Sequence, residues 1–324
     1  MQIFKFNSIL KPVLWGGDKI MAFKRLPACD EPIGESWELS AMPGCESVVA
    51  NGDDRGLTLV ELIKRYGAEL VGQDVYQRYG DRFPLLIKLI DAKRNLSIQV
   101  HPNDEIARSR HACMGKTEMW YILQAEEGAL IHSGFNREMS GEELVRRLAD
   151  SSLLDVINAT PSHPGDAFFI PAGQIHTIGS GNLLVEIQQS SDITYRVWDY
   201  NRRDAHGNLR QLHVQEAREA LNYAASNGLV TDACSMGNGL MRLVRCDEFV
   251  VYCLDIDGGC CHDFTSAHSF VALVCVDGET TIMANEMSPV TLSRGETALI
   301  PAVADRVEFN GSARLLLAMV PCKS

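Results

Sequence analysis

Leu96-Ser97-Ile98-Gln99-Val100-His101-Pro102 is the stretch from which the architecture can be read. Successive side chains of a strand point to opposite faces, so Gln99 and His101 project to one side and Ile98 and Val100 to the other. A polar pair on one face of an apolar strand needs a space to face. Two other segments offer partners for it. Lys116-Thr117-Glu118-Met119-Trp120-Tyr121 opens a strand-like run with a carboxylate, and Gly173-Gln174-Ile175-His176-Thr177 brings a second imidazole just after a Pro-Ala-Gly turn. A single histidine near a strand is more often a hydrogen-bonded structural residue than a ligand. Ligand-type residues on three separate segments make a stronger case: two imidazoles, a carboxylate and a carboxamide oxygen form a divalent-metal shell with positions open to water or substrate. Gln99, His101, Glu118 and His176 are therefore the candidate metal ligands.

The chain has 324 residues, 46% hydrophobic and 22% charged, enough for two packed cores. No apolar run of about 18 residues is present, and Met1-Gln2-Ile3-Phe4-Lys5-Phe6 lacks the basic start and apolar core of a secretory signal. A cytoplasmic, membrane-free protein is expected. Ten cysteines occur without any Cys-x-x-Cys pair, which reads as reduced, mostly buried thiols rather than disulfide staples. A net charge of -12 argues against a nucleic-acid partner, whose phosphates call for clustered Lys and Arg. A small anionic substrate remains compatible with a local basic pocket.

Outward from the central stretch, Glu35-Ser36-Trp37-Glu38-Leu39-Ser40 alternates with period two and reads as a half-buried edge strand. Leu59, Leu62, Ile63, Tyr66 and Leu70 mark one face of an amphipathic helix, with Thr58 and Glu61 as a capping box. Leu85-Leu86-Ile87-Lys88-Leu89-Ile90 suits a buried strand, in which Lys88 must either reach past an edge or serve a pocket. The polar connection from Pro102 to Lys116 is too long for a hairpin turn and is expected to be a substrate-covering loop. Residues 140 to 150 read as a helix started by Ser140 and Glu143, and Val214 to Ala225 as another. Arg196, in Thr194-Tyr195-Arg196-Val197, follows the strand after His176; by position alone it is an ordinary surface or ion-paired arginine.

An internal echo organises the rest. Gly165-Asp166-Ala167-Phe168-Phe169-Ile170-Pro171-Ala172 resembles Gly295-Glu296-Thr297-Ala298-Leu299-Ile300-Pro301-Ala302 at a constant offset, and Gly181 then matches Gly311. The position equivalent to His176 is Arg306, so only the first copy could hold the metal. Short strands with Gly and Pro turns, echoed twice, imply a mainly β fold: two antiparallel β-barrels or jelly rolls with a few helical insertions. The join is expected over Asn201 to Gly228, where Arg202 to Asn208 is loop-like, giving residues 1–228 as a metal-binding unit and 229–324 as a metal-free one.

The ordered occurrence of Ser97-Ile98-Gln99-Val100-His101-Pro102, Lys116-Thr117-Glu118-Met119-Trp120-Tyr121, Pro171-Ala172-Gly173-Gln174-Ile175-His176 and Thr194-Tyr195-Arg196-Val197 resembles the type I mannose-6-phosphate isomerases of the cupin superfamily. The resemblance implies cupin-type domains and one zinc ion held by Gln99, His101, Glu118 and His176. It also implies that Arg196 is catalytic and that Lys88 and Lys116 line a sugar-phosphate pocket. Ser97 is a further substrate-binding candidate. Lys116 and a metal-bound water are both candidates for the base. An iron-dependent cupin oxygenase and a non-enzymatic sugar-binding cupin are the alternatives; a fourth ligand and pocket lysines weigh against the first, and Arg196 beside the metal against the second. Metal identity and oligomeric state are left open.

Overall fold

A computed structural model describes residues 1–203, 207–228 and 230–322. The protein is mainly β, built from antiparallel sheets. One sheet of six strands runs in the order Ala167–Ile170, Glu118–Ala125, Asn182–Gln189, Leu85–Ala92, Ile33–Leu39, Ile9–Gly17. A five-stranded sheet runs Ile157–Pro161, Leu130–Phe135, His176–Ile178, Ile98–Val100, Tyr195–Trp198. Trp120, Ile122, Ile90 and Leu184 from the first sheet share a buried apolar cluster with Ile131 and Ile178 from the second. The C-terminal part forms a nine-stranded sheet whose long central members are Val250–Asp263, Arg306–Met319 and Val271–Ala284. Its ladder continues through Thr297–Ile300 to Phe4–Asn7 and Val48–Val49, from the start of the chain. Among the described residues no sheet closes on itself, so of the expected barrels or jelly rolls the structure shows open, packed antiparallel sheets. Strand count and alternation are visible in a sequence, whereas closure depends on which edges find each other.

The Leu85–Ala92 strand lies between Asn182–Gln189 and Ile33–Leu39 and is buried throughout, because Leu85, Ile87 and Leu89 pack into one apolar cluster and Ile90 and Ala92 into another on the opposite face. This also corrects the reading of Glu35–Ser40 as an edge. Ile33–Leu39 lies inside its sheet, between Leu85–Ala92 and Ile9–Gly17, and Ser36 and Glu38 are buried as well as Trp37 and Leu39. Both faces are covered, and Lys24 compensates the Glu38 charge at 2.7 Å.

The Thr58 capping box forms as expected, and Leu59, Leu62 and Ile63 bury the inner face of helix Leu59–Tyr66. Gly67, at φ +50°, ends that helix, and Leu70 belongs to a separate short helix, Ala68–Val71, that packs into the same core. Ser140 caps Gly141–Ala149 through the Glu143 N–H. The expected helix over 214–225 stops at Ala220. In the Pro102–Lys116 connection, a helix, Asp104–His111, replaces the expected loop. Asn103 accepts from the Ile106 N–H at 3.0 Å, and two acidic residues occupy the first turn. The turn contains capping residues but only Ile106 and Ala107 as apolar positions, too few for a periodic stripe. Part of the loop read over 202–208, namely 204–206, and Leu229 at the expected start of the second unit lie outside the described residues. All ten cysteines are free thiols, but only Cys253 and Cys275 are fully buried.

The echo has a structural counterpart. Ala167–Ile170 and Thr297–Ile300 are both strands, each entered through a glycine with positive φ, Gly165 at +95° and Gly295 at +83°. Strand register extends the equivalence: Glu186 pairs with Lys88 in the first copy as Leu316 pairs with Cys253 in the second. Where the first copy has charges, the second has apolar or thiol side chains.

Candidate metal centre and active-site cleft

Three adjacent short strands set out one side of the site. Gln99 is in register with His176 on one flank and with Arg196 on the other. Directly opposed residues share a face, so the three side chains form a row. The facing six-stranded sheet supplies Glu118, Trp120, Glu186 and Lys88, with Glu186 in register with both Trp120 and Lys88.

His101, Glu118 and His176 are buried, and their ligand atoms all lie within 4.8 Å of one another. His101 Nε2 is 3.5 Å from Glu118 Oε2, and His176 Nε2 is 3.4 Å from Glu118 Oε1. The other nitrogen of each ring meets a carbonyl: His101 Nδ1 lies 2.9 Å from the Ile193 oxygen and His176 Nδ1 2.8 Å from the Gln174 oxygen. A carbonyl only accepts, so each Nδ1 carries the proton and each Nε2 lone pair points into the site. Burial pushes the His176 imidazole down to about 3, and burial, Lys116 and His176 hold His101 well below its ordinary value, so both rings are neutral. Glu118 Oε1 and His176 Nε2 are buried without a hydrogen-bond partner. Orphaned acceptors at the core of a protein call for a cation. Two neutral imidazoles and a carboxylate, with the Gln99 carboxamide lining the same cleft, are a donor set that a divalent metal such as zinc fits.

Lys116 Nζ sits 2.6 Å from Glu118 Oε2 and 3.0 Å from His101 Nε2. The cleft above this cluster has a volume of about 330 Å³, and its lining includes Trp15, Ser97, Gln99, Lys116, Arg196 and Arg210. Lys88, also on the wall, is 4% exposed and points inward rather than past an edge. Its ammonium lies 3.5 Å from Glu35, 3.7 Å from Glu186 and 3.9 Å from Asp192, and 4.8 Å above the Trp37 ring. Burial works against the charge, but the three carboxylates outweigh it and raise the Lys88 pKa. Trp37 Nε1 donates to Glu35 Oε2 at 2.7 Å and Trp120 Nε1 to Glu186 Oε2 at 2.9 Å, so both carboxylates are fixed from behind.

All eight residues singled out from the sequence thus lie in the buried cluster or along the cleft. Glu35, Glu186, Asp192 and Arg210 complete its charge pattern and were not singled out. Glu186 carried the same signal as Lys88, a charge inside the apolar run Leu183-Leu184-Val185-Glu186-Ile187. Arg210 lies in a polar connection with no periodicity to mark it. The helix Asp104–His111 contributes no side chain to the cleft lining.

Residues 3–133 match the family model for phosphomannose isomerase type I, catalytic domain, and residues 240–320 that for mannose-6-phosphate isomerase, cupin domain. The mannose-6-phosphate isomerase ManA of Bacillus subtilis is 33% identical over 316 residues, spanning 96% of this chain and 97% of its own. The mannose-6-phosphate isomerase of Streptococcus mutans is 33% identical over 304 residues, 94% of this chain and 93% of its own. The crystal structure of the mannose 6-phosphate isomerase from Bacillus subtilis superposes with a TM-score of 0.88 at 32% identity, covering 98% of this chain and 99% of the other.

Proposed function

The chain belongs to the type I phosphomannose isomerase family, and from that premise we propose that it interconverts mannose 6-phosphate and fructose 6-phosphate through a cis-enediolate. The observation that carries this reading is the buried cluster of two neutral imidazoles and a partly orphaned carboxylate beneath a cleft lined by cationic side chains. The metal site consists of Gln99, His101, Glu118 and His176. Those residues would hold a zinc ion, which would supply Lewis acidity toward the sugar oxygens.

The chain's own residues do the rest. A proton moves between carbons 1 and 2 of the opened sugar, and negative charge develops on the oxygens. Arg196, in line with Gln99 and His176, places fixed positive charge where that enediolate forms. Lys116 is the nearest side-chain amine to the cluster and holds or moves a proton at Nζ. Lys88 and Ser97 line the wall and bind the substrate. Residues 1–228 act as the catalytic cupin-type unit and 229–324 as a metal-free cupin-like unit. This second unit lacks a counterpart of the charged Lys88–Glu186 pair. The setting is taken to be the cytoplasm.

The test is turnover of mannose 6-phosphate by purified protein before chelation, after chelation and with zinc restored. Activity that disappears and returns is the expected result. Inactivity with every divalent metal would overturn the isomerase reading in favour of an oxygenase or a sugar-binding protein.

A further inference from the structure

We propose that Arg210, beside Arg196, anchors the phosphate of the substrate; the inference rests on the sugar-phosphate reading above. The charges around the cleft are segregated. On one part of the wall Lys88 faces Glu35, Glu186 and Asp192, and Lys116 faces Glu118 at 2.6 Å and Glu186 at 3.9 Å. Both ammonium groups are committed to protein carboxylates, which outnumber them. A phosphate dianion there would have to displace those carboxylates from the ammonium groups.

Around Arg196 and Arg210 the lining has the reverse balance. Three guanidinium groups, Arg196, Arg202 and Arg210, gather near Asp199, the one carboxylate paired with them among the described residues. Arg210 donates from Nε to Asp199 Oδ2 at 2.6 Å and from Nη2 to Oδ1 at 2.5 Å. Arg202 donates to the same Oδ1 and, through Nη1, to the Asn95 carbonyl at 2.5 Å. Among the described residues Arg196 reaches no carboxylate. Its Nη1 donates to the Gln211 carbonyl at 2.9 Å, and its Nε is buried without a partner. Burial and the neighbouring Arg210 charge lower the Arg196 pKa, as expected for cations crowded together without enough counter-charge.

Among the described residues this corner therefore carries a surplus of two positive charges, shared between the developing enediolate beside Arg196 and the phosphate at Arg210. Asp199 holds Arg210 from behind by two donors, which fixes the plane of its guanidinium while Arg210 lines the cleft. A guanidinium held in one orientation recognises a phosphate through paired N–H groups, which a lysine cannot reproduce.

The experiment is calorimetric titration of the zinc-loaded protein with inorganic phosphate, for wild type, Arg210→Ala and Arg210→Lys, with KM for mannose 6-phosphate measured alongside. The phosphate Kd is expected to rise by about tenfold or more in Arg210→Ala, less in Arg210→Lys, and KM to rise in parallel. A phosphate Kd within twofold of wild type in both variants overturns the proposal. So does a fall in kcat with phosphate affinity unchanged, the signature of an arginine that only braces Asp199. Should the alanine variant not fold, the lysine variant carries the comparison. Calorimetry needs no turnover, so wild-type protein that binds phosphate through Arg210 yet leaves mannose 6-phosphate unchanged would sink the proposed reaction and not the anchor.

Discussion

Lys88 shows what a single residue contributes to both stability and site. Its ammonium and the Glu186 carboxylate are 4% and 3% exposed and lie 3.7 Å apart. Removing one partner of a buried pair leaves the other charge without compensation, at a cost of about 3 kcal/mol. Lys88→Met should therefore lower the unfolding free energy by about that amount, and adding Glu186→Gln should restore part of it, as read by urea unfolding of the chelated protein. The pH dependence has a definite sign. Burial raises the Glu186 pKa in the folded protein; a carboxyl so raised favours the folded state at low pH and loses that contribution as pH rises through the folded value. The Lys88→Met deficit should be larger at pH 7 than at pH 5. At this scale the sequence was informative where a polar residue broke an apolar pattern. Gln99, His101 and Lys88 could be found that way, and so could Glu186. It was uninformative for Arg210, whose importance comes from Asp199 and Arg196 converging in space.

The element that links the two histidines is the turn Pro171-Ala172-Gly173-Gln174. Gly173 adopts φ +86°, a conformation that side chains rarely take, and its N–H donates to the His101 carbonyl at 2.8 Å. Its own carbonyl accepts from the Asn222 N–H at 2.8 Å, and a Cβ placed there would meet the Ala220 oxygen at 3.0 Å. The next residue supplies the carbonyl that orients His176. Gly173→Val should cost about 1–3 kcal/mol in stability through backbone strain. It should also weaken zinc binding by about tenfold or more, because the carbonyl partner of a ligating histidine moves with the turn. A competition titration with a chromogenic chelator measures this; unchanged zinc affinity would detach the turn from the metal site. Elements were legible where period and cap agreed, as at Thr58 and Leu59–Tyr66. They were missed where a cap stood without an apolar stripe, as at Asn103, and their position in a sheet was missed where pairing decides it, as for Ile33–Leu39.

At the scale of the whole molecule, the two halves of the chain are joined by more than a linker. Phe4 and Lys5 pair with Leu299 and Ala298, so the C-terminal sheet is extended by a strand from the chain's beginning. The buried Lys24–Glu38 pair reaches across as well: Lys24 donates to the Gly295 carbonyl, and Thr297 Oγ1 donates to Glu38 Oε2 at 3.5 Å. One apolar cluster contains Phe4, Leu59, Leu85 and Ile187 together with Phe249, Phe270, Leu299 and Leu316. A fragment beginning at 229 would expose that shared surface and leave the Thr297–Ile300 edge without its N-terminal neighbour, an invitation to aggregation. Such a fragment should not fold alone, and the intact chelated chain should unfold in one transition. The four tryptophans provide a direct test, since Trp15, Trp37, Trp120 and Trp198 all lie before residue 229. Their fluorescence reports only the first part, whereas far-ultraviolet circular dichroism reports every strand. The two urea midpoints should coincide. A circular dichroism transition that persists after the fluorescence change is complete would mean that the C-terminal sheet stands without the first strand, and that the shared core is a contact between independent units.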